Sequence, residues 1–411
     1  MPDSSSARVA ALAIMLAAPV FALLTLQIPE GFSRLLFFSL PVLAAAGVVS
    51  VSGILSGFDI RKAWMKMSRI SRVGLATFLA STVFANLTAD AAPQFARLYL
   101  FSTLLVALTG WIVWFMSTDR WRAARGPLLH AMWLGALLYI CVLVPYAWVR
   151  AADPTFDWIA FGLAVTNLRQ TAFYAIPLVT IAGGFAHFAA TGRGRGTLYV
   201  AQAAGFGLAA FSGGRAAFAA CLIAAGAGAV LAGGRRLRNL LLTTLAATAG
   251  AAATIVLSPD GSTGWGRIFA KGMTESKTQS VMSGREAFWA ETASRIADHP
   301  WFGHGEGQFR HVVAVAEQSY NHPHNSVLQF LFQWGVVGTL AVALMLLPTL
   351  LALPAKLKAE RRLAVPCFSL VLAMAMMSMF GGSFFHVYPS LLTVICLAIL
   401  ASCAAKSTPR Q

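Results

Sequence analysis

About twelve apolar runs of membrane-spanning length follow one another along this 411-residue chain, and they leave little choice of architecture. They fall near residues 9–28, 35–56, 73–88, 97–117, 128–149, 171–190, 197–212, 216–232, 239–257, 325–353, 363–380 and 389–404. A chain with 58% hydrophobic and only 11% charged residues is too apolar for a soluble protein of this length. The expected fold is an all-α, polytopic transmembrane helical bundle. Residues 1–257 carry the first nine spans, 258–324 form the one long hydrophilic loop, and 325–411 carry the last three spans and a C-terminal tail. The first run is read as a retained span rather than a cleaved signal, because many spans follow it.

Charge orients the bundle. The connections alternate between basic and non-basic. Arg61, Lys62, Lys66, Arg69 and Arg72 follow the second run, and Arg120, Arg122 and Arg125 the fourth. Arg193 and Arg195 follow the sixth, Arg235, Arg236 and Arg238 the eighth, and Lys356, Lys358, Arg361 and Arg362 the tenth. With Arg8, Lys406 and Arg410 that face holds 20 of the 31 Lys and Arg residues. The net charge of +16 is therefore explained by the excess of basic residues on cytoplasmic loops, and nucleic-acid binding is not implied. Both termini are expected in the cytoplasm and the long loop on the periplasmic face. Cys141, Cys221, Cys367, Cys396 and Cys403 lie in or beside apolar runs, in no disulfide or CxxC metal pattern.

Within the loop, Ser283-Gly284-Arg285-Glu286 reads as a capping box opening a short helix that Pro300 stops. Trp289, Ala293 and Ile296 share one face of it, as in an amphipathic helix resting on the membrane. The glycine-rich stretch from Pro300 to Phe309 lacks the strand–turn–helix setting of a nucleotide loop and reads as a tight backbone turn.

Three polar features stand at the outer edge of apolar helices. Arg169 lies in Asn167-Leu168-Arg169-Gln170, and Arg215 follows Ser212-Gly213-Gly214 in a turn between two spans. The third is Asn321-His322-Pro323-His324-Asn325, which ends the loop. A lone arginine at a span end can simply snorkel to the interface. Two of them on one face could instead clamp a diphosphate, with Gly213 and Gly214 letting backbone N–H groups approach the anion. For His324 the choices are a helix cap, a metal ligand or a general base. Asn325 can cap the following span unaided, and no HExxH spacing accompanies the loop's His299, His304, His311 and Glu306. A base near neutral pH suits an imidazole placed where a lipid-borne substrate meets an aqueous one. His386 is a second candidate. His130 and His187, near cytoplasmic span ends, read as structural.

These residues resemble the O-antigen ligase and O-antigen polymerase family of bacterial envelope glycosyltransferases. The resemblance covers about residues 165–340. Its pieces are Ser212-Gly213-Gly214-Arg215, Gly284-Arg285 through Trp289, Pro300-Trp301-Phe302-Gly303-His304-Gly305, and His322-Pro323-His324-Asn325-Ser326-Val327-Leu328-Gln329 ending in Gly335-Val336-Val337-Gly338. It implies a metal-independent, cofactor-free transferase at the outer face of the inner membrane. The donor would be a glycan on undecaprenyl diphosphate, and the acceptor a hydroxyl of lipid A–core or another glycan. His324 would be the base, Arg215 and Arg169 the diphosphate clamp, with His322 and Arg285 completing the substrate-binding set. Ligation to lipid A–core is the first expectation and polymerisation of lipid-linked repeats the alternative. From another class, a lipid-linked-glycan flippase would place its polar groups near mid-membrane and show internal repeats, whereas here they cluster at the outer boundary.

Overall fold

The computed structural model describes residues 4–25, 34–89, 91, 93–153, 156, 158, 163, 165, 167–257, 285–315 and 320–404. A helix overlies every one of the apolar runs: α1 Ser4–Thr25, α2 Arg34–Leu55, α3 Ile60–Lys66, α4 Arg69–Leu87, α5 Pro93–Ser117 and α6 Arg125–Ala151. These are followed by α7 Leu168–Phe188, α8 Gly192–Phe211, α9 Arg215–Leu231 and α10 Arg236–Leu257. The loop helix is α11, Arg285–Asp298, and the chain ends with α12 Ser326–Leu351, α13 Leu353–Ala359, α14 Arg361–Gly381 and α15 Val387–Ser402. Several helices start before their apolar run because basic residues occupy the first turn. Ser68, Thr191 and Asn325 cap α4, α8 and α12 by accepting from backbone N–H groups of the first turn.

Six of the described helices are long and apolar enough to cross a membrane alone, and a seventh crossing is possible if the bent pair Leu40–Leu55 and Ile60–Lys66 counts as one. Ser5–Val20, Arg215–Leu231 and Val387–Ser402 are shorter apolar helices. The chain is a multi-pass membrane protein.

The helices pack in neighbouring pairs: α1 on α2 and α6, α5 on α15, α8 on α10, α9 on α14, and α4 on α12. At the centre stands α7, almost wholly enclosed. It widens into a π-helical turn at Leu178–Ala182, which strands a carbonyl that a regular helix would use. The Gln202 side chain, reaching from α8, donates to Val179 O at 3.0 Å. At the basic end, Arg125 pairs with Glu360 at 2.8 Å, Glu360 accepts from Ala404 N, and Lys356 Nζ donates to Ala401 O and Cys403 O. These bonds tie α6 and α13 to the end of α15.

The second interruption is in α12. Gly335 sits at φ 62°, ψ −170°, and divides the helix in two. Two helical bonds are lost there, and four bonds to the glycine-rich turn replace them. Val336 N and Val337 N donate to Pro300 O and Trp301 O, while Phe332 O and Gln333 O accept from His304 N and Gly305 N, all at 2.7–3.0 Å. The turn is thus a backbone plug for a broken membrane helix. The loop helix α11 packs on α12 too. Its inward side chains are Phe288, Thr292 and Ile296, beside Phe309, Val313 and Phe332, with Trp289 half-buried. Ala293 is exposed, which corrects the expected apolar face: contact with α12, rather than with lipid, selects the buried side. Ser283 and Gly284, the expected capping residues, lie outside the described residues.

A Cβ at Gly335 would run into the Trp301–Phe302 peptide, and its backbone angles are open to glycine almost alone. Gly335→Ala should cost about 3 kcal/mol, read as a lowered melting temperature in detergent. Gly226→Ala, inside α9 where a Cβ meets nothing within 4 Å, should not lower the melt and should raise it slightly.

Candidate active site

The histidine string does not continue the helix. Asn325 caps α12, with Oδ1 accepting from Val327 N at 3.0 Å and Leu328 N at 3.2 Å, so capping falls to Asn325 and not to His324. His324 has φ +56°, and among the described residues no other non-glycine residue has positive φ. Such a conformation costs free energy and persists where neighbours hold it. Here His324 N donates to His322 Nδ1 at 3.2 Å, and Trp289 Nε1 of α11 donates to Pro323 O at 2.8 Å. The Tyr320 ring stands edge-on to His324.

His322 is buried against the turn before α15. Its ring lies 4.3 Å from that of His324, 4.8 Å from Phe385 and 5.6 Å from His386. A side chain at Gly382 would occupy the place of the His322 ring. His386 also contacts Gln170, with Nε2 atoms 3.3 Å apart. His386 is the second candidate by sequence, whereas Gln170 and Gly382 join the site only in the structure. The signal for Gln170 was its place beside Arg169, and for Gly382 the Gly-Gly pair ending an apolar run.

The arginines converge on this cluster from three separate elements. Arg169 comes from the first turn of α7, Arg215 from the first residue of α9 and Arg285 from the first residue of α11. Arg169 and Arg285 are half-buried and Arg215 is exposed. The positive charge of Arg215 is felt at Arg169, that of Arg169 at Arg285, and both Arg285 and Arg169 act on His324. Among the described residues no carboxylate forms an ion pair with any of the three. The glycines before Arg215 act differently from expectation. Gly213 N–H is taken by Ala210 O and Gly214 N–H by Ser212 Oγ, so neither is open to an anion. Side-chain guanidiniums carry the positive potential instead.

Burial, and then the charges of Arg285 and Arg169, push the His324 imidazole down to about 4. Burial drives His322 well below the ordinary range, with His324, His386 and Arg285 adding to it, and brings His386 to about 3. All three rings are neutral at neutral pH, each with a nitrogen able to accept a proton. Elsewhere, His130 accepts from Trp133 Nε1 and stacks on Phe185, and His187 bonds to Tyr199 OH, as structural residues would.

A cavity of about 550 Å³ lies between the α4–α12 pair and the α5–α15 pair. Its wall is largely apolar and follows α12 from Gln329 to Thr349, about 30 Å at 1.5 Å per residue and close to the thickness of a bilayer's hydrocarbon core. His386 lines one end and Lys356 the basic end, so the cavity adjoins the histidine cluster.

The family resemblance is upheld. Residues 200–343 match the family model described as O-antigen ligase. Over 63 residues the chain is 36% identical to an O-antigen ligase of Pseudomonas aeruginosa, a stretch covering 15% of this chain and 16% of that relative. The match to the family model takes in Arg215, Arg285, His322 and His324, while Arg169 and His386 lie outside it.

The histidine environment predicts an acid-sensitive fold. Unfolded histidines titrate near 6.5, and these bind protons only at lower pH when folded. Between about 6.5 and 4 the unfolded chain therefore holds more protons, and stability falls as pH falls. Melting temperatures across that window should drop, and the drop should be shallower in His324→Gln.

Proposed function

We propose that this chain is a glycosyltransferase of the bacterial inner membrane. It moves a glycan from an undecaprenyl-diphosphate carrier to an acceptor hydroxyl, as in ligation of O-antigen to lipid A–core. The observation that carries this reading is the meeting of three features. A strained neutral imidazole, three guanidiniums without a carboxylate partner among the described residues, and one end of an apolar cavity of bilayer depth come together.

Each feature has a task. The cavity takes the prenyl tail of the carrier. Arg169, Arg215 and Arg285 hold the diphosphate, with planar donors suited to phosphate oxygens. His324 takes the proton of the acceptor hydroxyl as its oxygen bonds to the anomeric carbon. The bond from that carbon to the phosphate oxygen breaks, and the electron pair leaves with the diphosphate, stabilised by the arginines. Attack opposite the leaving group inverts the anomeric centre, and the step uses no metal. His322 orients the turn through its bond to His324 N.

The arginines also set the timing of the base. In the free protein they keep His324 a weak acceptor. Diphosphate brings the countercharge, which raises the basicity of the imidazole once the donor is seated. The pH limb of kcat should therefore lie above that of kcat/KM, which reports the free protein and should lie near pH 4. His324→Ala should lower turnover by about 10²–10⁴-fold with donor binding largely kept, and EDTA should have no effect. Purified protein with lipid-linked donor and acceptor suffices for both measurements. Full activity of His324→Ala would overturn the assignment, as would loss with EDTA restored by a divalent ion.

Arg215→Ala should abolish transfer while the protein still folds, and Arg215→Lys should recover part of it. The alternation of basic and non-basic connections favours both termini in the cytoplasm and this site on the periplasmic face. Cysteines at 285–315 should then react with an external reagent, and those at 61–69 or 356–362 should not. Deleting the gene separates the acceptors. Loss of long chains from lipopolysaccharide, with glycan left on the carrier, means ligation. Core bearing a single repeat means polymerisation.

A further inference from the structure

Just beneath His386 the apolar cavity carries polar side chains that the transfer chemistry does not use. Glu306, from the glycine-rich turn, is 4% exposed and lines the wall. Its two recorded side-chain bonds, from Trp334 Nε1 at 2.8 Å and Thr103 Oγ1 at 2.9 Å, both fall on Oε1. Gln329 and Gln333 lie one turn apart on α12, are 3% and 4% exposed, and line the same wall. Gln329 Nε2 donates to Gln333 Oε1 at 3.2 Å, and Gln329 Oε1 has no partner. Exchanging oxygen and nitrogen in both amides reverses that bond and still leaves one Gln329 terminal atom alone. Three buried polar side chains thus line one largely apolar space, and Gln329 keeps hydrogen-bonding capacity unused.

We propose that Glu306, Gln329 and Gln333 form a subsite that receives hydroxyl groups of a sugar, holding it beside the histidine cluster. A hydroxyl both donates and accepts, so it can satisfy an amide oxygen and an amide nitrogen together. Away from water those bonds discriminate strongly, since a ligand lacking the hydroxyl leaves the protein groups unpaired. Glu306 is pushed up to about 7 by burial, so at neutral pH its carboxyl can serve as either partner. Trp334 and Thr103 fix the carboxyl from α12 and α5, and the Asn86 side chain accepts from Glu306 N at 3.1 Å from α4. The subsite is therefore braced by the helices that wall the cavity. Its place in the reaction rests on the transferase reading. Its ligand class rests on the side chains alone.

Two arms test it. In the first, radiolabelled octyl glucoside below its micellar concentration is dialysed against the protein in nanodiscs, with empty nanodiscs as blank. Saturable binding is expected. It should weaken at least about tenfold in Gln329→Leu, remain within about threefold in Glu306→Gln, and be absent for an octyl chain on a hydroxyl-poor oligoether. Gln329→Asn, which keeps the amide but shortens it, serves if the leucine variant does not fold. Wild-type protein without saturable binding, or a folded Gln329 variant that binds like wild type, would overturn the subsite.

The second arm is transfer kinetics. A raised KM for the acceptor in Gln329→Leu makes the sugar the acceptor's, and a raised KM for the donor makes it the donor's. Both KM values unchanged would overturn the proposal. If wild type transfers nothing from any lipid-linked donor, the transferase reading falls, and the dialysis still decides the subsite.

Discussion

A helix interrupted inside hydrocarbon leaves peptide groups that water cannot reach, and each must find a partner within the protein. This chain interrupts two helices and solves the problem twice. In α7 the widened turn at Leu178–Ala182 is served by one glutamine side chain from the neighbouring helix. In α12 the break at Gly335 is served by main chain, from a turn that belongs to the aqueous loop. The second solution has the larger reach. It fixes the loop against the bundle, places α11 on α12, and so holds the Trp289 indole where it can grip the carbonyl between the two histidines. The unusual backbone of His324 is sustained by that arrangement.

Around the histidines, charge is left unbalanced. Most of the other buried or half-buried ions have partners: Arg125 faces Glu360, and Lys356 faces two carbonyls. The three arginines beside the histidines have no carboxylate among the described residues and repel one another. This concentration of like charge is suited to an anion, which would bring the three guanidiniums the partner they lack among the described residues. Neutral imidazoles add no further repulsion to the free site, and a ligand bearing negative charge changes both conditions together.

Much of this was legible in the sequence, for identifiable reasons. Hydropathy located the long apolar helices because apolar length is a direct requirement of the bilayer, and it passed over the short basic helices α3 and α13. Asn325 announced its cap by its place before an apolar run. The convergence of Arg169, Arg215 and Arg285 was not legible from spacing, since each comes from a different helix start. It rested on their shared face and on family resemblance. The break at Gly335 was hidden, because a single glycine in an apolar run is ordinarily tolerated. The glycine-rich turn was correctly read as backbone, but its partner could not be guessed. Gln329 and Gln333 left a weak trace as two amides one turn apart in an apolar helix. Glu306 stood out only as a possible metal ligand, because burial and not sequence context makes it unusual.

The stitch at Gly335 also bears on how the protein is made. The turn leaves the ribosome before α12 does, so the partners of the break are already made when the helix follows. Because one short connection joins them, turn and helix end always share a side of the membrane. The four bonds at Gly335 can therefore close before the last helices have been synthesised. Loop and helix then act as a single folded unit from that point on.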